Sequence, residues 1–196
     1  MSEQDTGTGK VVVNRAMSLD GFIAGPDDAM GWIMEHLAGD PFPEVVQATG
    51  AMLVGRHTHE VSRRMRVEDT TYDGGPVFVL THRPPAEPDP GVTFLSCDLE
   101  EAVARARAVA APKDLEILGA DLASQCLQRG LVDEVLVYVG PVLLGDGVRF
   151  STPGLGRIDL EPISGTRSGA VTMLRFRVRE ESRNRRLSSS GSVGRG

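Results

Sequence analysis

Apolar runs rich in β-branched residues alternate with helical stretches along most of this chain, and that alternation restricts the folds open to it. Residues 10–17 (KVVVNRAM), 51–54, 76–81, 91–95, 115–118 and 132–139 read as strands. Between them, 43–49, 56–65, 99–110 and 122–128 read as helices, the last stopped by Gly130. Strands that alternate with helices must run mostly parallel, because each helix carries the chain back across a sheet face. The expected fold is therefore α/β, a mainly parallel central sheet flanked by helices. Two late runs, 157–163 and 171–178, read as an antiparallel pair at the carboxyl end. Residues 18–39, with Gly21, Gly25, Pro26, Gly31 and Gly39, read as a long loop of the kind that carries function.

The chain has 196 residues, 40% of them hydrophobic, which suits one domain: a flexible start over 1–9, a folded body over 10–180 and a disordered basic Ser/Gly tail over 181–196. A net charge of -6 with both signs interspersed excludes a nucleic-acid face and a cationic membrane surface. The expected partner is a small molecule. Apolar runs are strand-sized, and the first residues lack the basic start and hydrophobic centre of an export signal, so a cytoplasmic location is expected. Cys97 and Cys126 stand apart from any CxxC or Cys/His cluster and read as reduced thiols. No metal is expected, because His57 and His59 point to different sides of one predicted helix.

Three strand ends carry phosphate-binding chemistry. At Gly55-Arg56-His57-Thr58 a glycine permits close backbone approach, the helix start offers unpaired N–H groups, and Arg56 and Thr58 add a cation and a hydroxyl. Thr81-His82-Arg83 ends the next strand with a hydroxyl, an imidazole and a guanidinium, a set suited to a phosphate monoester. Gly119-Ala120-Asp121-Leu122 again leads from strand to helix; Asp121 can cap that helix, but an acid there would also repel a pyrophosphate. Each turn alone reads equally well as an ordinary connection. Together they mark the carboxyl edge of the sheet, where open α/β folds bind ligands. Gly7-Thr8-Gly9-Lys10 precedes a strand and no GxGxxG follows the first strand, which disfavours a P-loop and a Rossmann dehydrogenase.

Met17-Ser18-Leu19-Asp20-Gly21, Gly55-Arg56-His57-Thr58 and the stretch from Gly119 to Gly147, with LVDE ahead of GPVLLGDG, resemble the dihydrofolate-reductase-like superfamily. The nearest resemblance is to the reductase domain of bacterial riboflavin-pathway deaminase-reductases, and it spans roughly 11–178 as element order. It implies NADPH across the sheet's carboxyl edge, with the Gly119 turn at the pyrophosphate, the Gly55 turn at the adenosine-side phosphates and Thr81 to Arg83 at the 2′-phosphate. It further implies a homodimer, a loop carrying Trp32 over the nicotinamide, and a pterin- or pyrimidine-like substrate. Hydride transfer needs few protein groups beyond orientation and one proton route. Asp20, just past the first strand, leads as the group that binds or protonates substrate, although Asp-Gly is also an ordinary turn; Asp40 and Glu44 compete. Two departures stand out. Ala120 occupies a position where relatives carry a second glycine, and 60–75 (EVSRRMRVEDTTYDGG) lacks the substrate-binding stretch of true riboflavin-pathway reductases. The competing reading is a non-catalytic NADP-binding dimeric module, favoured by Ala120 and Asp121.

Overall fold

The run after Lys10 forms β1 (Val11–Ser18), which lies inside an eight-stranded sheet between β6 (Asp114–Leu118) and β7 (Glu134–Gly140). Both neighbours are parallel to it, with Val13 opposite Ile117 and Val135. Beyond β6 come β3 (Thr49–Gly55), β4 (Val77–Leu80) and β5 (Val92–Leu95), also parallel. Beyond β7 the sheet turns antiparallel through β10 (Val171–Val178) and ends on β9 (Leu160–Ser168). The expected parallel sheet with an antiparallel closing pair is therefore present. This computed structural model describes residues 9–36, 43–65, 75–87, 89–180 and 182. Asp40, most of the expected start and tail, and 66–74 lie outside the described residues.

Among the described residues, five α-helices lie against the sheet: α1 (Gly31–Met34), α2 (Pro43–Ala48), α3 (Arg56–Arg64), α4 (Leu99–Ala110) and α5 (Ala120–Gln128). On one face Val11, Val13, Leu53 and Ile117 pack against Ala102 and Ala106 of α4 and Leu122 and Cys126 of α5. On the other, Val12 and Leu136 meet Ile33 of α1 and Val45 of α2. Both faces of β1 are thus covered, with only Asn14, Ala16 and Met17 partly exposed. Among the described residues no helix is long and apolar enough to cross a membrane. Cys97 and Cys126 are free thiols, and burial pushes that of Cys126 up to about 12, which leaves it inert.

Four segments differ from expectation. The long loop contains β2 (Phe22–Ala24), which pairs with β8 (Val148–Arg149); both strands are too short for periodicity to register. Strand β9 lies later than expected because almost every residue in it is exposed and no apolar alternation marks it. Its bounds come from pairing with β10, with a register shift at Arg175/Phe176. Helix α5 starts at Ala120 rather than 122, which puts Asp121 in its first turn. Ser182, inside the expected tail, is buried and accepts from the Asp159 N–H at 3.2 Å, so packing extends past 180.

Candidate active site

Parallel pairing puts the carboxyl ends of β1, β3, β4, β5, β6 and β7 on one edge. Helices α3, α4 and α5 all begin there. Helix α4 is closed by its own sequence: the Asp98 carboxylate accepts from the Glu101 N–H at 2.7 Å. In contrast α3 and α5 start from glycines, Gly55 and Gly119, which have no side chain to cap them. Their first-turn N–H groups are left to other acceptors.

These two helix starts are fitted to each other. A Cβ on Gly119 would collide with Thr58 Oγ, in the first turn of α3, and one on Gly55 would lie 3.9 Å from the Cβ of Leu122, in the first turn of α5. Each N-terminal glycine therefore abuts the first turn of the opposite helix, and the two positive dipole ends converge on one place. Gly119 has φ +95, a conformation that L side chains rarely adopt. Leu122 is buried, so its contribution is its backbone N–H. The Asp121 carboxylate accepts from Gln125 Nε2 at 2.8 Å, which turns it along its own helix, and Arg56 Nε donates to Glu60 at 2.6 Å. One strand further out, Thr81 is buried and its hydroxyl accepts from the Arg83 N–H at 3.1 Å, leaving the side chains of His82 and Arg83 exposed.

The segment expected to close over the site is anchored at both ends. Asp28, in a left-handed conformation (φ 62), contacts His57 Nε2 of α3 at 3.0 Å and accepts from Arg64 at 3.0 Å. The hydrogen bond from His57, then the charges of His57 and Arg64, lower the Asp28 pKa. Trp32 lies in α1, its ring 3.0 Å from where a Cβ of Gly140 would be, and its indole N–H is buried without a partner among the described residues. Asp20 accepts from the Ser18 hydroxyl at 2.6 Å and from the backbone N–H groups of Leu144 and Gly145 at 3.1 and 2.7 Å. Those bonds, the Ser18 hydroxyl first, hold its pKa down to about 2. Glu44 is exposed on α2.

Two charged residues in central strands escaped the sequence reading. Arg15 of β1 is 5% exposed and donates through Nη2 to the Gly119 carbonyl. Glu116 of β6, 4% exposed, lies 2.6 Å from Thr49 Oγ and is also hydrogen-bonded by Asn14. Thr49 Oγ is 2.8 Å from the Val45 carbonyl as well, and a hydroxyl has one hydrogen to give. The Thr49 hydroxyl therefore serves the Val45 carbonyl and the Glu116 carboxyl by turns and cannot fully satisfy both. Burial first, then Asp114, raises the Glu116 pKa against the opposing effects of Thr49, Asn14 and Arg175. Because the folded pKa is raised, the stabilisation is whole below the unfolded value of about 4.3 and is lost as pH climbs through the folded pKa. Melting curves from pH 4 to 8 should therefore fall less steeply for Glu116→Gln than for the native chain; parallel curves would refute a raised Glu116 pKa.

A family model of the RibD C-terminal domain matches residues 9–174. The chain belongs to that family. This RibD C-terminal domain is 27% identical over 141 residues to YwjB of Bacillus subtilis, an uncharacterized protein, across 71% of this chain and 80% of that one. It is 28% identical over 175 residues to the riboflavin biosynthesis protein RibD of Corynebacterium ammoniagenes, across 83% of this chain but 50% of that protein. The crystal structure of a putative riboflavin biosynthesis protein from Shewanella superposes with a TM-score of 0.74 at 22% identity, covering 87% of this chain and 99% of the other. Dihydrofolate reductase from Enterococcus faecalis, complexed with NADP(H), superposes at 0.61 and 15% identity, covering 88% and 98%. The fold is dihydrofolate-reductase-like.

Proposed function

We propose that this chain is an NADPH-dependent reductase, active in the cytoplasm as a homodimer, that passes a hydride to a small pterin- or pyrimidine-like heterocycle. The 5-amino-6-(5-phosphoribosylamino)uracil reductase reaction of riboflavin biosynthesis is the model for that substrate class. The reciprocal fit of the two glycine-started helices carries the reading, since two converging, uncapped helix starts suit a diphosphate. The dinucleotide supplies the hydride. The chain's part is to hold it: first-turn N–H groups of α3 and α5 at the diphosphate, His82 and Arg83 at the 2′-phosphate, and the Trp32 indole N–H as a donor on the substrate side. Asp20 holds the loop after β7 through its three donors, which keep its carboxyl well below the usual carboxylate range. Free thiols at Cys97 and Cys126 accord with a reducing compartment, and exposed Leu160 and Ile163 on the edge strand β9 accord with pairing of two copies.

Thermal melts with NADPH and NADH test this directly. At a hundredfold excess over Kd, NADPH should raise Tm by roughly 5–10 °C, and NADH by less because it lacks the 2′-phosphate. No shift with either ligand would end the reading. A shift without turnover on pterin and pyrimidine substrates would select the non-catalytic NADP-binding module, which the first-turn acid Asp121 favours.

A further inference from the structure

We infer that Arg15 is the positioning residue of the diphosphate turn: its buried guanidinium pins the Gly119 carbonyl inward, aims the Ala120 N–H outward and places a positive charge behind the anion. This rests on the dinucleotide reading above and adds a residue that no glycine-turn pattern contains.

The geometry starts from the strand. Arg15 pairs in register with Val137 of β7, and its side chain lies on the sheet face covered by α5. Its guanidinium stacks 5.4 Å from the Phe150 ring and donates Nη2 to the Gly119 carbonyl, while Nε and Nη1 are buried with no partner among the described residues. No described carboxylate forms an ion pair with it. Burial lowers its pKa only to about 10, so it remains a cation at neutral pH. A buried cation without a counter-ion destabilises a fold, and an aliphatic side chain would suit this strand better. Such a charge is retained where a ligand supplies the missing anion.

The contact with Gly119 converts that charge into an orientation. The Gly119–Ala120 peptide is trans, so its C=O and N–H point in opposite directions. The carbonyl receives the Ala123 N–H at 3.2 Å, the first bond of α5, together with Arg15 from behind. With the oxygen held on the inner side, the Ala120 N–H faces out at the start of α5. A cation on the carbonyl polarises the same peptide and strengthens that N–H as a donor. The anion thus gains a directed donor, the helix dipole and a full positive charge from one side chain.

Arg15→Met and Arg15→Gln separate these effects, measured by NADPH titration and by melts of the ligand-free protein. Arg15→Met should melt at or above the native temperature without ligand, because the uncompensated charge is gone, yet bind NADPH at least about tenfold more weakly. Arg15→Gln keeps a donor for Gly119 without the charge; its NADPH affinity should fall between those of the native chain and Arg15→Met. Should Arg15→Met fail to fold, Arg15→Gln decides by its NADPH affinity, expected below the native value at an undiminished ligand-free Tm. Native-like NADPH affinity in either folded variant, or a lowered ligand-free Tm, overturns the assignment. If the native protein itself does not bind NADPH, the reductase reading fails first and this inference fails with it.

Discussion

Gly119→Ala should lower stability by roughly 2–6 kcal/mol and remove NADPH binding, for two separable reasons. The backbone at Gly119 has φ 95 and ψ 136, a region closed to side chains, which accounts for about 1–3 kcal/mol. The new Cβ would also press into Thr58 Oγ, an overpacking of about 1–3 kcal/mol more. Relief of either strain moves α5 away from α3 and opens the place where their N–H groups converge. Adding Thr58→Ala to the same chain removes the clashing oxygen, since the remaining Thr58 Cβ is 3.4 Å from the added carbon. The double variant should therefore recover the overpacking part and keep the backbone part. Urea melts give the stabilities, and the NADPH-induced change in Tm gives the binding. A Gly119→Ala protein that binds NADPH as tightly as the native chain would show that the paired helix starts are not the diphosphate site.

The fold was legible where local sequence and tertiary context agree. Helix α4 has the bounds read from its Ala-rich run, Leu99–Ala110, because helix propensity and the Asp98 cap act together. Gly55 and Gly119 were legible as strand-to-helix turns because each stands between an apolar run and a helical stretch. The two-residue β8 was not, and the exposed β9 was legible as a strand but not in its bounds, since the extent of both depends on partners distant in the chain. Arg15 and Glu116 illustrate a different loss. A lone charge in an apolar run reads as the solvent side of a half-buried strand, and only the neighbours of β1 and β6 show that neither has a solvent side. The usable signal was the expectation of a parallel sheet, whose inner strands bury both faces; a charge inside one of them has to be neutralised, protonated or reserved for a ligand. Asp20 marks the opposite limit: its place after β1 was readable, but two of its three donors, the Leu144 and Gly145 N–H groups, lie more than a hundred residues away.

Asp20→Asn should reduce turnover roughly ten- to a hundredfold while leaving NADPH affinity nearly unchanged. The carboxylate accepts from Ser18, Leu144 and Gly145, and the Ser18 hydroxyl oxygen in turn accepts from the Phe22 N–H at 2.9 Å. One acceptor group therefore ties the end of β1 and the start of β2 to the loop after β7. An amide presents an N–H₂ to one of those donors, so the loop must shift, and the loop after β7 borders the carboxyl edge proposed to hold the substrate. None of these bonds involves α3 or α5, whose starts are proposed to hold the dinucleotide. The pH dependence distinguishes loop-holding from proton donation. With a folded pKa of about 2, below the ordinary carboxyl value, the carboxylate's contribution to stability is present above about pH 4 and is lost as pH falls toward 2. The difference in Tm between the native chain and Asp20→Asn should follow that window. Above it Asp20 carries no proton to give, so the limbs of the pH–rate profile should keep their positions in the variant at reduced height. A limb that disappears in Asp20→Asn would mean that Asp20 titrates during turnover, and unchanged turnover would mean that the loop it holds does not touch the reaction.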